Sequence, residues 1–171
     1  MKILAFSGST RATSSNSKLL EGIALLFPNH DFVLYEKLDQ LPLFRAEDDS
    51  HPWSESVLEW RKILQESDAV IISIPEYIHN LPALIKNALE WIATSGEFVG
   101  KPVLPITFTP NEPRGEKAMQ SLCWSLQALD AQIIVQLPLF QNEINFENDN
   151  SFCENDSVEI LKEAVKLLLG N

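Results

Sequence analysis

Apolar positions along the chain alternate between short unbroken runs and segments where they recur every three or four residues. Lys2 to Phe6 is a run of the first kind and reads as a strand. Lys18 to Phe27 is of the second kind, with Leu19, Leu20, Ile23, Ala24 and Phe27 on one helical face and Pro28-Asn29 as a stop. The same alternation predicts strands over Phe32 to Tyr35, Ala69 to Ile74, Val103 to Phe108 and Gln132 to Gln136. Helices are predicted over Glu55 to Gln65, from Pro82 through Ile92, over Lys117 to Leu129, and over Ser157 to Leu169 after a polar stretch from Asn142 to Asp156. The third run, Ala69 to Ile74, is mostly β-branched, as expected of a strand covered on both faces. Strands and helices in strict alternation predict βαβ crossovers, and so an α/β fold with a parallel sheet and helices on both faces. In such sheets ligands sit beyond the carboxyl ends of the strands, which directs attention to the loops after the first, third and fourth strands. No repeat or interdomain linker interrupts the pattern, so residues 1–171 read as a single domain.

Charge narrows the partners. A net charge of -11, with no long basic stripe to offset it, argues against nucleic acid and anionic membranes. A few neutral donors and one arginine can still hold an anion locally. The N-terminal apolar run ends at Ser7-Gly8, too short for a signal peptide or a membrane span, and the chain reads as cytoplasmic. Cys123 and Cys153 are too few and too distant for a disulfide framework or zinc site, and Cys123, among apolar residues at helical spacing, reads as a buried thiol.

The segment Gly8-Ser9-Thr10-Arg11-Ala12-Thr13-Ser14-Ser15-Asn16 lies between the first strand and the first helix. A strand, a hydroxyl-rich loop and a helix gather backbone N–H groups around a phosphate. The loop has neither the lysine of a P-loop nor a G-x-G-x-x-G pattern. It also lacks the cysteine of a low-molecular-weight phosphatase, and the strand ends lack the aspartates of a response regulator. What remains suits a phosphate monoester held and not transferred. Read alone, the same residues also fit a plain helix cap, with Ser14, Ser15 or Asn16 at the N-cap.

After the third strand comes Pro75-Glu76-Tyr77-Ile78-His79-Asn80-Leu81-Pro82. A proline-bracketed loop with an aromatic and an aliphatic residue makes a stiff platform on which a flat ring can stack. The bland reading is a strand-to-helix connection with Glu76 exposed. His79 has no evident partner in the sequence, and His30 and His51 lie in polar turns that read as exposed.

The two loops together resemble the NAD(P)H-dependent FMN reductase family, the flavodoxin-like group of quinone, chromate and azo-dye reductases. The family's G-S-x-R-x-x-S-x-N is matched by Gly8, Ser9, Arg11, Ser14 and Asn16. Its second motif, P-E-Y-N-x-x-x-P-x-x-x-K-N-A-x-[DE]-W, is matched by Pro75, Glu76, Tyr77, Pro82, Lys86, Asn87, Ala88, Glu90 and Trp91. Gly100-Lys101-Pro102-Val103 and Leu41-Pro42-Leu43-Phe44 are similar to further family segments, and the likeness spans about residues 1–136. The resemblance implies a flavodoxin-like three-layer sandwich with a five-stranded parallel sheet of order 2-1-3-4-5. It implies an FMN phosphate held by Ser9, Arg11, Ser14, Ser15 and Asn16, and an isoalloxazine against Pro75, Glu76, Tyr77, Ile78 and Thr109. It further implies hydride transfer from NAD(P)H to the flavin and onward to a quinone-like, azo, metal-oxyanion or flavin acceptor. A homodimer or homotetramer with the flavin near the subunit interface is implied as well.

Two departures stand out. Ile78 occupies a position where the family usually has asparagine. The loop after the fourth strand, glycine-rich in the family, here runs Thr107-Phe108-Thr109-Pro110-Asn111-Glu112-Pro113-Arg114-Gly115. Arg114 is placed to meet a nicotinamide-cofactor phosphate or to form an exposed salt bridge. A flavodoxin-type electron carrier and an FMN-binding member without reductase activity remain alternatives at this point, although the first loop lacks a T-x-T-G-x-T pattern.

Overall fold

A computed structural model describes residues 1–11, 13–48 and 52–170. Six strands form one parallel sheet: β1 (Lys2–Ser7), β2 (Asp31–Tyr35), β3 (Ala69–Ile74), β4 (Pro102–Thr109), β5 (Gln132–Ile133) and β6 (Leu137–Phe140). The order is β2-β1-β3-β4-β5, with β6 also on β4. The helices are α1 (Ser15–Leu26), α2 (Glu55–Gln65), α3 (Ala83–Glu90), α4 (Glu116–Ala128) and α5 (Asp156–Leu169).

Alternation along the strands sorts the core into two layers. Leu4, Phe6, Val70, Ile72 and Val103 face α2, α3 and α4, while Ile3, Ala5, Ile71, Leu104 and Ile106 face α1 and α5. Each layer is apolar because each face of the sheet is covered, so no strand in the centre shows a polar side. The middle of the first layer is Trp60, which is fully buried, meets Phe6 edge-on at 5.1 Å between centroids, and donates its indole N–H to the Ala88 carbonyl at 3.0 Å.

The fifth predicted strand proves to be two pieces. Ile133 pairs with Val103 and Leu137 with Ile106, so the edge carries one residue more than β4 across the same stretch. Ile133 therefore packs into the first layer, whereas Leu137 and Leu139, at the same parity, pack into the second. A run of apolar letters cannot reveal such a bulge, and the predicted strand ends at Gln136, just before the second piece begins at Leu137. Pro138 is accommodated because this strand is at the sheet edge.

Other boundaries shift for local reasons. Helix α1 begins at Ser15, ahead of the apolar spacing, because Ser14 caps it and accepts from the Ser17 N–H. Pro82 stands at the N-cap of α3, and that helix ends at Glu90, short of Ile92. The polar stretch before α5 is no bare linker: Ile144 and Phe152 are buried, and Phe152 stacks near Phe146 at 5.3 Å.

Tyr35 closes the first layer at the end of β2. It is 5% exposed, lies 5.3 Å from the Trp60 ring, and its hydroxyl has no hydrogen-bond partner among the described residues. Burial, reinforced by the Glu59 carboxylate, pushes its phenol up to about 12 from the ordinary 10.0. The native state thus holds this proton more tightly than the unfolded chain. The resulting stability is complete below about pH 10 and is lost as pH rises from about 10 to about 12. Tyr35→Phe is expected to flatten that alkaline loss, and to change stability at pH 7 by no more than about 1 kcal/mol. Urea unfolding at pH 7, 9 and 11 checks it; parallel alkaline curves for the two proteins would refute the assignment.

Candidate functional site

The loop after β1 is wound by its own hydroxyls. The Ser9 N–H donates to Ser7 Oγ at 3.1 Å, and the Arg11 N–H donates to Ser9 Oγ at 3.3 Å. Gly8 ties the loop to the sheet, donating its N–H to the Ser73 carbonyl at 2.8 Å. A Cβ at Gly8 would lie 2.9 Å from Ile85 Cγ1 and 3.0 Å from Ile74 Cγ2, so only glycine lets the chain pass this close to α3. Beyond the loop, the first helical N–H groups, of Ser15 and Asn16, make no hydrogen bond among the described residues, and the first turn of α1 carries no acidic side chain. Arg11 is exposed and enters no ion pair among the described residues. Open N–H donors, a helix N-terminus, hydroxyls and an unopposed guanidinium together make an anion cradle. A phosphate monoester fits this donor set. Beside the cradle, toward the end of β2, a cleft of about 370 Å³ is lined by Ser9, Thr10, Arg11, Tyr35, Glu36 and Asp39.

Asn16 serves the scaffold and not the cradle with its side chain. It is 2% exposed, its Oδ1 accepts from Ser73 Oγ at 2.8 Å, and its Nδ2 donates to the Phe108 carbonyl at 3.3 Å. Ser15 Oγ accepts from Gln141 Nε2 at 2.8 Å. Gln141 escaped the sequence reading because it follows the strand piece beyond the bulge. Ala12 and His51 lie outside the described residues.

The loop after β3 is a rigid two-residue turn. Tyr77 and Asn80 exchange backbone hydrogen bonds at 3.1 and 3.0 Å around Ile78 and His79, whose φ values are 52° and 54°. Positive φ at both central positions is what this hairpin turn demands, and glycine or asparagine usually supplies it. Isoleucine there costs about 1–2 kcal/mol. The turn nonetheless presents Ile78 98% exposed and Tyr77 45% exposed, beside Pro75.

Glu76 is the residue the sequence reading placed least well. Its side chain is 9% exposed, and its Oε2 accepts from the N–H groups of Gly115, Lys117 and Ala118 at 3.1–3.2 Å. Helix α4 has Gly115 at its N-cap, at φ 104° and without a capping side chain, so Glu76 reaches across from the neighbouring loop to cap it. Its other oxygen lies 3.4 Å from His79 Nδ1, which gives that histidine a partner no sequence pattern disclosed. Thr109, expected to approach a ring, is 1% exposed and donates its hydroxyl to the Arg114 carbonyl at 2.8 Å, closing the loop after β4. His30, expected to be exposed, is half-buried. Cys123 is buried, and burial pushes its thiol up, as its apolar setting suggested.

Ser9, Arg11, Ser14 and Ser15 therefore gather at the end of β1, while Pro75, Tyr77 and Ile78 form a separate wall at the end of β3. The NADPH-dependent FMN reductase model matches residues 1–143, which include both loops. The chain belongs to that family. It is 38% identical over 106 residues to the CrdA subunit of an NADH:(hydroxy)cinnamate reductase from Vibrio ruber, covering 61% of this chain and 52% of that one. It is 31% identical over 105 residues to an NAD(P)H-dependent FMN reductase from Pseudomonas aeruginosa, covering 60% and 56%. The matched region spans about half the length of each of these two relatives. Among solved structures, FerB, a flavoenzyme NAD(P)H:(acceptor) oxidoreductase from Paracoccus denitrificans, superposes with a TM-score of 0.83 at 24% identity, over 98% of this chain and 94% of that one. That likeness bears on the fold, which is flavodoxin-like. No helix among the described residues is long and apolar enough to cross a membrane, and no cluster among them could hold a metal.

Replacing Glu76 by alanine leaves the α4 N-terminus without its acceptor and is expected to cost about 1–2 kcal/mol. Glu76→Gln keeps an acceptor without the charge and should cost less. Urea unfolding ranks the two, and amide exchange over residues 110–118 should rise most in the alanine variant. Equal exchange in all three proteins would remove Glu76 from its capping role.

Proposed function

We propose that residues 1–171 act as a single FMN-binding domain and that the protein is an NAD(P)H-dependent FMN reductase. The observation that carries this is the cradle at the α1 N-terminus, with open N–H groups, hydroxyls and Arg11 but no acidic side chain in the first helical turn. Family membership and the names of the two relatives support it. Bound FMN supplies two-electron chemistry between a nicotinamide and a second small-molecule acceptor of quinone, azo, metal-oxyanion or flavin type. The protein's part is to hold, orient and exclude water.

In this reading Arg11, the Ser9 hydroxyl and the N–H groups of Ser15 and Asn16 hold the phosphate. Ser14 and Ser15 shape the cradle through their bonds to Ser17 and Gln141. Pro75 and Tyr77 back the isoalloxazine, and Ile78 forms an apolar lip at its edge. Glu76 and Thr109 act at one remove, the first by fixing α4 and the second by closing the loop after β4. No side-chain acid or base is needed for hydride transfer between two such cofactors, so the site is asked only for geometry and polarity. A homodimer or homotetramer would cover the exposed Ile78 and Tyr77, and also Leu43, which is 73% exposed. The reading places the protein in the cytoplasm.

Phosphate recognition separates this reading from a generic flavin site. The protein should bind FMN more tightly than riboflavin, and Arg11→Ala should weaken FMN by about tenfold or more while leaving riboflavin unchanged. Flavin-fluorescence titration measures both, and NAD(P)H oxidation with a quinone measures turnover. A protein that ignores FMN at micromolar concentration sinks the proposal.

A further inference from the structure

On the far side of the loop after β4 lies a cleft of about 660 Å³ between α4 and the broken edge strand. Its lining includes Thr107, Arg114, Gln120, Trp124, Gln127 and Gln136. Gln120, Trp124 and Gln127 are four and three residues apart on α4 and so form one stripe along the helix. Trp124 is 62% exposed, whereas Trp60 and Trp91 are buried. An indole left standing in water on a regular helix is a flat apolar surface without a partner in the chain. Each glutamine carboxamide offers a donor and an acceptor, and none makes a side-chain hydrogen bond among the described residues. Below them Thr107 is 1% exposed and its Oγ1 has no partner among the described residues, although buried hydroxyls are nearly always satisfied.

We propose that this cleft receives the adenosine half of the nicotinamide dinucleotide. The inference rests on the reductase reading and adds where the hydride donor is held. A purine needs a flat face to stack on and an edge partner that both gives and accepts hydrogen bonds. Trp124 is the first, and the carboxamides of Gln120, Gln127 and Gln136 are the second. Thr107 Oγ1 is the hydroxyl at the floor of the cleft that lacks a partner. Arg114 is the cation at its lip and enters no ion pair among the described residues. It sits on the same loop whose end, Gly115, is held by Glu76 next to the flavin wall, so a pyrophosphate crossing from one side to the other passes Arg114. Glu112 and Glu116 also line the cleft, and their charge opposes anions in general. Affinity therefore comes from stacking and edge recognition, with Arg114 offsetting the local negative field. A charge-driven site would instead show a cluster of cations, and Arg114 is the one lysine or arginine in its lining.

The test uses ADP-ribose, which carries the adenosine and pyrophosphate but no redox group. Calorimetry on the full chain, with and without FMN, is expected to show one site, weakened about tenfold in Trp124→Ala and largely kept in Trp124→Phe. In steady state, Trp124→Ala should raise the KM for NADH about tenfold with little change in kcat. Reduced nicotinamide mononucleotide, which has no adenosine, should be turned over alike by both proteins. Circular dichroism and light scattering check whether the variants keep fold and oligomeric state. The proposal is overturned if ADP-ribose fails to bind or binds Trp124→Ala as well as the wild type. It is equally overturned if the mononucleotide suffers the same penalty as NADH, or if Trp124→Ala changes the oligomeric state, which would assign this face to a second copy. A chain that refuses FMN yet binds ADP-ribose through Trp124 defeats the reductase reading alone; FMN binding without ADP-ribose binding defeats only this one.

Discussion

One carboxylate holds the functional end of the molecule together. Glu76 leaves the loop after β3 and accepts three backbone N–H groups from the start of α4. A helix N-terminus carries partial positive charge and unsatisfied donors, and Gly115 at the cap has no side chain to answer them. Because the answer comes from another loop, the turn at Ile78-His79 and the segment from Pro110 to Gly115 cannot move independently. That segment has the wall of Pro75, Tyr77 and Ile78 on one side and the α4 cleft on the other. Gly115 is required there twice over: φ is 104°, and a Cβ would lie 2.9 Å from Thr107 Oγ1.

Much of the scaffold could be read in advance. Apolar runs such as Ala69 to Ile74 are long enough and β-branched enough to leave one interpretation, and the parallel direction follows from the crossovers, whereas the order 2-1-3-4-5 is legible only through the family resemblance. What could not be read was set by contacts distant in sequence. The edge bulge is a matter of register against β4. The inward turns of Asn16 and Thr109 depend on carbonyls at Phe108 and Arg114. Glu76 looked like a surface or ligand-facing residue because its partners are some forty positions away. A motif states which residues are present, and here several of its polar members are spent on the frame that positions the rest.

Charge shows the same division of labour. A chain of net charge -11 repels anions from most of its surface, yet the first turn of α1 has no acid and Arg11 stands beside it. The contrast leaves the start of α1, where backbone donors and Arg11 meet, more favourable to an anion than the surrounding surface. Acidic groups elsewhere, such as Glu36 and Asp39 near the cradle, mark the limits of that region.

The bonds of Asn16 have a further meaning for how the molecule breathes. One buried amide joins the first turn of α1 to Ser73 in β3 and to the Phe108 carbonyl in β4, while Gly8 is bonded to the same Ser73 residue. The two ends of the loop after β1 are thereby tied to the central strands of the sheet, the part of a parallel α/β fold that opens last. Separating either end from the sheet means breaking buried bonds to Ser73 or Phe108. The stretch between the two ends therefore starts and finishes at points fixed by the sheet, whatever occupies the cradle.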